Sequence, residues 1–175
     1  MNTIDSNTTL NSNISFLAIN AMFIALTLVA TAFINVKLPV AANGGLIHLG
    51  NVPLFIGAIL FGKRTGALAG AFGMGLYDLL SGWTLWAPCT FIIVGLMGYV
   101  IGSITENHKS FFRYSIAMVA ACIIKVIGYY MAEVFLYHNF IAPISSIPGN
   151  LIQIGLAAII VLPIIDTLRK GLKQC

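Results

Sequence analysis

Asp78, Lys125 and Glu133 are ionisable side chains set inside long apolar stretches. At such depth a charged residue costs about 2.5–3.5 kcal/mol on insertion scales, and it characteristically faces a polar cavity or a partner. Asp78 closes the third apolar stretch beside Tyr77. It reads either as an interfacial carboxylate capping a short loop or as a polar group at the mouth of a binding site. Lys125 lies near the middle of the fifth stretch, too deep for its ammonium to reach either surface easily. It reads either as half of an ion pair, with Asp78 the candidate partner, or as a cation in a polar cavity. Glu133 follows two helical turns later, about 12 Å along the axis, so the two charges cannot pair on one helix and each needs a partner from elsewhere.

Uncharged polar residues add to this set. Asn150 and Gln153 stand three apart, on one helical face, just after Pro148 and Gly149. Asn150 suits a cap near a helix start, whereas Gln153, a turn deeper, has no such role. Asn43, Gly44, Gly45, His48 and Asn51 open the second stretch ahead of Pro53. His48 is equally compatible with a neutral, hydrogen-bonded state and with contact to a ligand. Trp83 and Trp86 flank the turn between the third and fourth stretches. With Tyr129 and Tyr137 they form either an interfacial belt or a platform on which a planar ring stacks. Catalysis finds little support, because GK[ST], HExxH and GxSxG are missing and the carboxylates are isolated. Cys89, Cys122 and Cys175 are odd in number and lack CxxC or Cys/His spacing, so neither a disulfide framework nor a metal site is expected.

The elements that position these residues follow from composition. Of 175 residues, 59% are hydrophobic and 8% charged, against roughly 45–50% and about 25% in soluble domains. Mean hydropathy is +0.96. The chain is therefore expected in a membrane. A span takes about 20 helical residues, so six spans with short loops fill the sequence and leave no room for a nucleotide-binding domain. Any energy for work across the membrane must then come from an ion gradient or from partner subunits. The apolar stretches run at about 15–34, 46–61, 65–80, 85–104, 111–137 and 147–168, the second and third short enough to require tilt. Residues 1–14 read as a disordered polar tail without the basic region of a signal peptide, 15–170 as one membrane domain, and 171–175 as a short C-terminal tail.

Charge placement orients this all-α, six-helix bundle. Lys63, Arg64, Lys109, Arg113, Arg169, Lys170 and Lys173 make seven of the nine basic residues, and all fall on one side of a six-span arrangement. Cytoplasmic loops retain Lys and Arg, so both termini are expected inside. The net charge of +4 thus reports topology rather than a nucleic-acid partner. Gly66, Gly70 and Gly73, and Gly95, Gly98 and Gly102, suit close helix packing. Ala18, Ala21 and Ala25 form a small-residue stripe on the first helix, open to packing inside the chain or docking to another membrane subunit.

A resemblance rests on particular stretches: Ile47-His-Leu-Gly-Asn-Val-Pro, Leu60-Phe-Gly-Lys-Arg-Thr-Gly-Ala-Leu-Ala-Gly-Ala-Phe-Gly, Leu76-Tyr-Asp-Leu-Leu-Ser-Gly, Trp86-Ala-Pro-Cys-Thr and Gly95-Leu-Met-Gly. In order and spacing, over roughly residues 18–157, the chain resembles the S components of energy-coupling factor (ECF) vitamin transporters, nearest the riboflavin, hydroxymethylpyrimidine and pyridoxine branch. The resemblance implies a substrate-capturing subunit in the bacterial plasma membrane. It would dock to a transmembrane coupling protein bearing two cytoplasmic ATPases, which use the ATP, and would need no cofactor of its own. It further implies docking through Ala21 and Ala25, and a vitamin site among His48, Asn51, Asp78, Trp86, Thr90, Lys125, Glu133, Asn150 and Gln153. Two other classes remain to be weighed. An autonomous ion-coupled or facilitative carrier would ordinarily show an internal repeat, and none is convincing here. A small membrane enzyme rests only on the presence of Asp78, Glu133 and His48.

Overall fold

Why the second and third apolar stretches form separate helices is visible at Gly62, whose backbone sits at φ 94, a region that favours glycine. Its N–H caps the preceding helix by donating to the Ala58 carbonyl. The computed structural model describes residues 3–37, 46–172 and 174, with side chains from Asn13 onward except that of Lys37. In chain order the elements are α1 (Thr3–Phe33), β1 (Asn35–Lys37), β2 (Leu46–His48), α2 (Asn51–Phe61), α3 (Lys63–Leu80), α4 (Ala87–Thr105), α5 (Phe111–Tyr137), a 3-10 turn (Ala142–Ser146) and α6 (Ile147–Leu172). Asn43, Gly44, Gly45, Lys173 and Cys175 lie outside the described residues.

Among the described residues, four stretches are long and apolar enough to cross a membrane: Asn13–Phe33, Ala87–Thr105, Phe111–Tyr137 and Ala142–Leu172. At 11 residues α2 is too short to cross alone, and α3 carries Lys63, Arg64 and Asp78 within its 18 residues.

Two expectations are corrected. The second stretch does not begin as helix at Leu46: Leu46–His48 is a strand, paired antiparallel with β1 in the register Asn35↔His48. Three-residue strands are too short to leave a readable period-two pattern. Likewise α1 runs back to Thr3, through the segment expected to be a disordered tail. No Pro or Gly interrupts that segment, and propagation from an established helix costs far less than nucleation.

The bundle closes around Leu54, Phe55, Val94, Met97, Ile101, Tyr114, Ala117, Ala157, Val161 and Ile165, all fully buried. The glycines bring α3 and α4 to backbone contact. A Cβ on Gly98 would run into the Gly66 carbonyl, and one on Gly70 into the Val94 carbonyl. At the end bearing the basic residues, Arg169 donates to Tyr114 Oη at 3.1 Å and pairs with Asp166 at 3.1 Å. Lys63 reaches Glu106 at 2.9 Å, tying the start of α3 to the end of α4. The α1 helix buries Asn20, Phe23, Thr27 and Thr31. Ala18, Ala21 and Ala25 fall on its exposed side.

Candidate functional site

At the end opposite the basic residues, β2 and helices α1, α3, α4, α5 and α6 line a partly open cavity of about 110 Å³. His48 from β2, Asp78 from the last turn of α3, Trp86 and Thr90 at the start of α4, Lys125 and Glu133 from α5, and Asn150 and Gln153 from α6 all line it. Asn51 does not. It begins α2 fully buried, with neither atom of its side-chain amide partnered among the described residues.

Lys125 is 2% exposed, and its Nζ donates to Gln153 Oε1 at 2.6 Å. The Gln153 amide in turn donates to the Leu46 carbonyl of β2. Three elements distant in sequence are thereby joined by one polar chain. Of the two sequence readings of Lys125, the structure gives the polar cavity rather than an ion pair with Asp78. The ion pairs among the described residues are Lys63–Glu106 and Asp166–Arg169. The Lys125 ammonium also lies 6.0 Å from the Tyr129 ring centroid, within reach of a cation–π attraction.

The carboxylates are held separately. Ser146 donates to Glu133 Oε2 at 2.7 Å. Thr90 shares a hydrogen bond of 2.9 Å with the Tyr129 hydroxyl, and its own hydroxyl faces Asp78. In His48, Nδ1 accepts from the Gly50 N–H at 3.2 Å. The neutral ring therefore carries its hydrogen on Nε2. Burial, reinforced by the positive charge of Lys125, pushes the His48 pKa well below its ordinary value, so the ring is neutral at pH 7.

An aromatic wall stands beside these groups. Trp83 and Trp86 both line the cavity and meet edge to face with centroids 5.7 Å apart. Tyr137 packs behind Trp86 at 5.8 Å. The arrangement combines aromatic surface with charged and neutral hydrogen-bonding groups, the usual make-up of a small-molecule site. Among the described residues, no cluster of His, Cys, Asp and Glu has the geometry to hold a metal ion.

Sequence reasoning missed Thr31, Met74 and Ser146 in the lining. Thr31 and Met74 are ordinary residues of apolar helices and carry no signal. Ser146 sits one residue before α6, where a hydroxyl reads as a cap; its contact with Glu133 depends on how α5 and α6 meet.

Residues 11–170 match the family described as "ECF-type riboflavin transporter, S component". A protein of Lactococcus lactis subsp. cremoris, named "Thiamine precursor transporter HmpT", is 28% identical over 144 residues, covering 82% of this chain and 81% of that one. A protein of Pyrococcus woesei described as uncharacterized is 30% identical over 102 residues, 58% of this chain and 68% of its own.

Proposed function

The chain belongs to the family of S components of ECF-type riboflavin transporters, and from that premise we propose that it captures a small heterocyclic vitamin or vitamin precursor in the cavity beneath β2. It is a multi-pass membrane component of a transporter and not an enzyme. The observation that carries the site is the convergence of Asp78, Lys125 and Glu133, the three charges deepest in apolar sequence, on one cavity beside Trp83 and Trp86. The thiamine precursor in the name of the Lactococcus relative supports a vitamin-precursor ligand.

The finer topology belongs to the same reading. Six spans form one membrane domain over residues 15–170 in a bacterial plasma membrane, with both termini cytoplasmic and the cavity facing outward. Basic residues gathered at the end opposite the cavity support this orientation. The coupling subunit docks on α1, where Ala21 and Ala25 are exposed and small enough to admit a second helix closely. ATP is consumed by the partner ATPases.

Ligand titration and vesicle uptake test the proposal together. The purified chain should bind a ring vitamin without ATP at sub-micromolar affinity. Vesicles should accumulate the vitamin only when the coupling subunit, the ATPases and ATP are present. Accumulation by the chain alone, with no tight binding, would replace capture with an autonomous carrier.

A further inference from the structure

Lys63, Arg64, Lys109, Arg113, Arg169 and Lys170 gather at the end of the bundle opposite the cavity beneath β2. Among residues with described side chains, the carboxylates that pair with them are Glu106, held by Lys63 at 2.9 Å, and Asp166, held by Arg169 at 3.1 Å. This end therefore keeps an excess of positive charge. Within it lies an open groove of about 530 Å³. Leu60 from the end of α2, Glu106, Asn107 and Lys109 from the link between α4 and α5, and Arg169 and Leu172 from the end of α6 line it.

The two cations that line the groove without a role in the Lys63–Glu106 pair are held in place by the fold. Arg169 Nη1 donates to the Lys109 carbonyl at 3.0 Å and to Tyr114 Oη at 3.1 Å, and Nη2 pairs with Asp166. Tyr114 is fully buried, so the guanidinium is tied to the core. A guanidinium carries five N–H donors, and these contacts leave donors for an acceptor in the groove. Lys109 Nζ donates to the Leu60 carbonyl at 3.3 Å, which sets its ammonium over the end of α2. Cations already ordered this way lose little further freedom when an anion arrives.

Apolar groups stand beside these charges. Leu60 and Leu172 share the lining, and Phe111 and Phe112, two and three positions after Lys109, are 62% and 73% exposed. A free phosphate has the charge to suit Lys109 and Arg169 but gains nothing from such neighbours. A phosphodiester carried on acyl chains uses both. Basic pockets between helix ends at a membrane surface take anionic headgroups in this manner. We propose that the groove seats an anionic phospholipid, its phosphate held by Lys109 and Arg169 and its chains against the adjoining apolar residues. The proposal rests on the membrane placement of this end and is independent of the molecule captured beneath β2.

Titration of the full-length protein in detergent with short-chain phosphatidylglycerol, short-chain phosphatidylcholine and inorganic phosphate tests it, with native mass spectrometry counting the bound lipid. Phosphatidylglycerol should bind at least about fivefold more tightly than phosphatidylcholine, the scale of one interfacial cation. Inorganic phosphate at equal concentration should not displace it. Lys109→Gln should lower the affinity for phosphatidylglycerol about fivefold and leave that for phosphatidylcholine unchanged. Lys109→Arg should restore it, and Arg64→Gln, a cation outside the groove, should have little effect. Leu172→Glu places an anion on the exposed rim without touching the core, and should weaken phosphatidylglycerol binding even if Lys109→Gln proves unstable. Equal affinity for the two lipids, equal losses in Arg64→Gln and Lys109→Gln, or displacement by inorganic phosphate would each overturn the lipid site. Vitamin capture would stand in every one of those cases.

Discussion

His48 offers the sharpest single-residue handle, because burial and the nearby Lys125 together oppose its protonation. Lys125 on α5 adds a like charge and burial adds desolvation, while Asp78 on α3 and Glu133 on α5, lining the same cavity, pull the other way. Above its ordinary pKa of 6.5 the ring is neutral whether the chain is folded or unfolded, and pH has no leverage through it. As pH falls below that value, the unfolded chain takes up a proton that the folded site resists, so stability drops on acidification. A melting series in detergent from neutral pH downward should therefore show a steeper loss for the natural protein than for His48→Gln. Parallel slopes for the two would mean that His48 protonates freely in place. At this scale the sequence was partly legible. Lys125 and Gln153 stand out as polar residues in apolar helices, but their bond to one another crosses 28 positions and depends on how α5 meets α6. Asn51 stood out equally well and lies off the cavity, since composition reveals that a residue is polar and buried but not which way it points.

Between elements, the contact of α3 with α4 is the tightest feature and the easiest to test. An added methyl at Gly98 meets the Gly66 carbonyl, which belongs to a helix backbone and cannot move aside. Gly98→Ala should cost about 1–3 kcal/mol of stability by overpacking. Gly155 on α6 has open space where its Cβ would go, so Gly155→Ala should be neutral or gain up to about 1 kcal/mol from helix propensity. Thermal melts of both variants check the contrast, and equal effects would deny the close approach. Ala21 and Ala25 pose the opposite case, small residues facing away from their own bundle. Ala21→Trp or Ala25→Trp should leave ligand affinity nearly unchanged and abolish pull-down of the coupling subunit. Loss of ligand binding with assembly intact would assign the stripe to internal packing. The glycine seam was legible because small residues at helical spacing carry a period. The β1–β2 hairpin was not, because its strands are three residues long and its register is set by pairing rather than by pattern.

For the whole molecule, basic residues at one end and the cavity at the other predict sidedness. A cysteine introduced at Ser145 should react with an impermeant reagent added outside intact cells, and one at Lys109 should react only after permeabilisation. The reverse pattern would turn the cavity toward the cytoplasm. Overall hydropathy and charge asymmetry are properties of sums over many residues, which is why an all-helical membrane chain could be read before the structure, whereas the depth and volume of the cavity could not. The polar chain from Lys125 through Gln153 to the Leu46 carbonyl has one more consequence, and it concerns time. Parting β2 from α6 strips the Gln153 amide of its acceptor, a cost that slows every separation of these two elements. Motions that widen the cavity along that edge are thereby made rarer than motions that leave the bond intact.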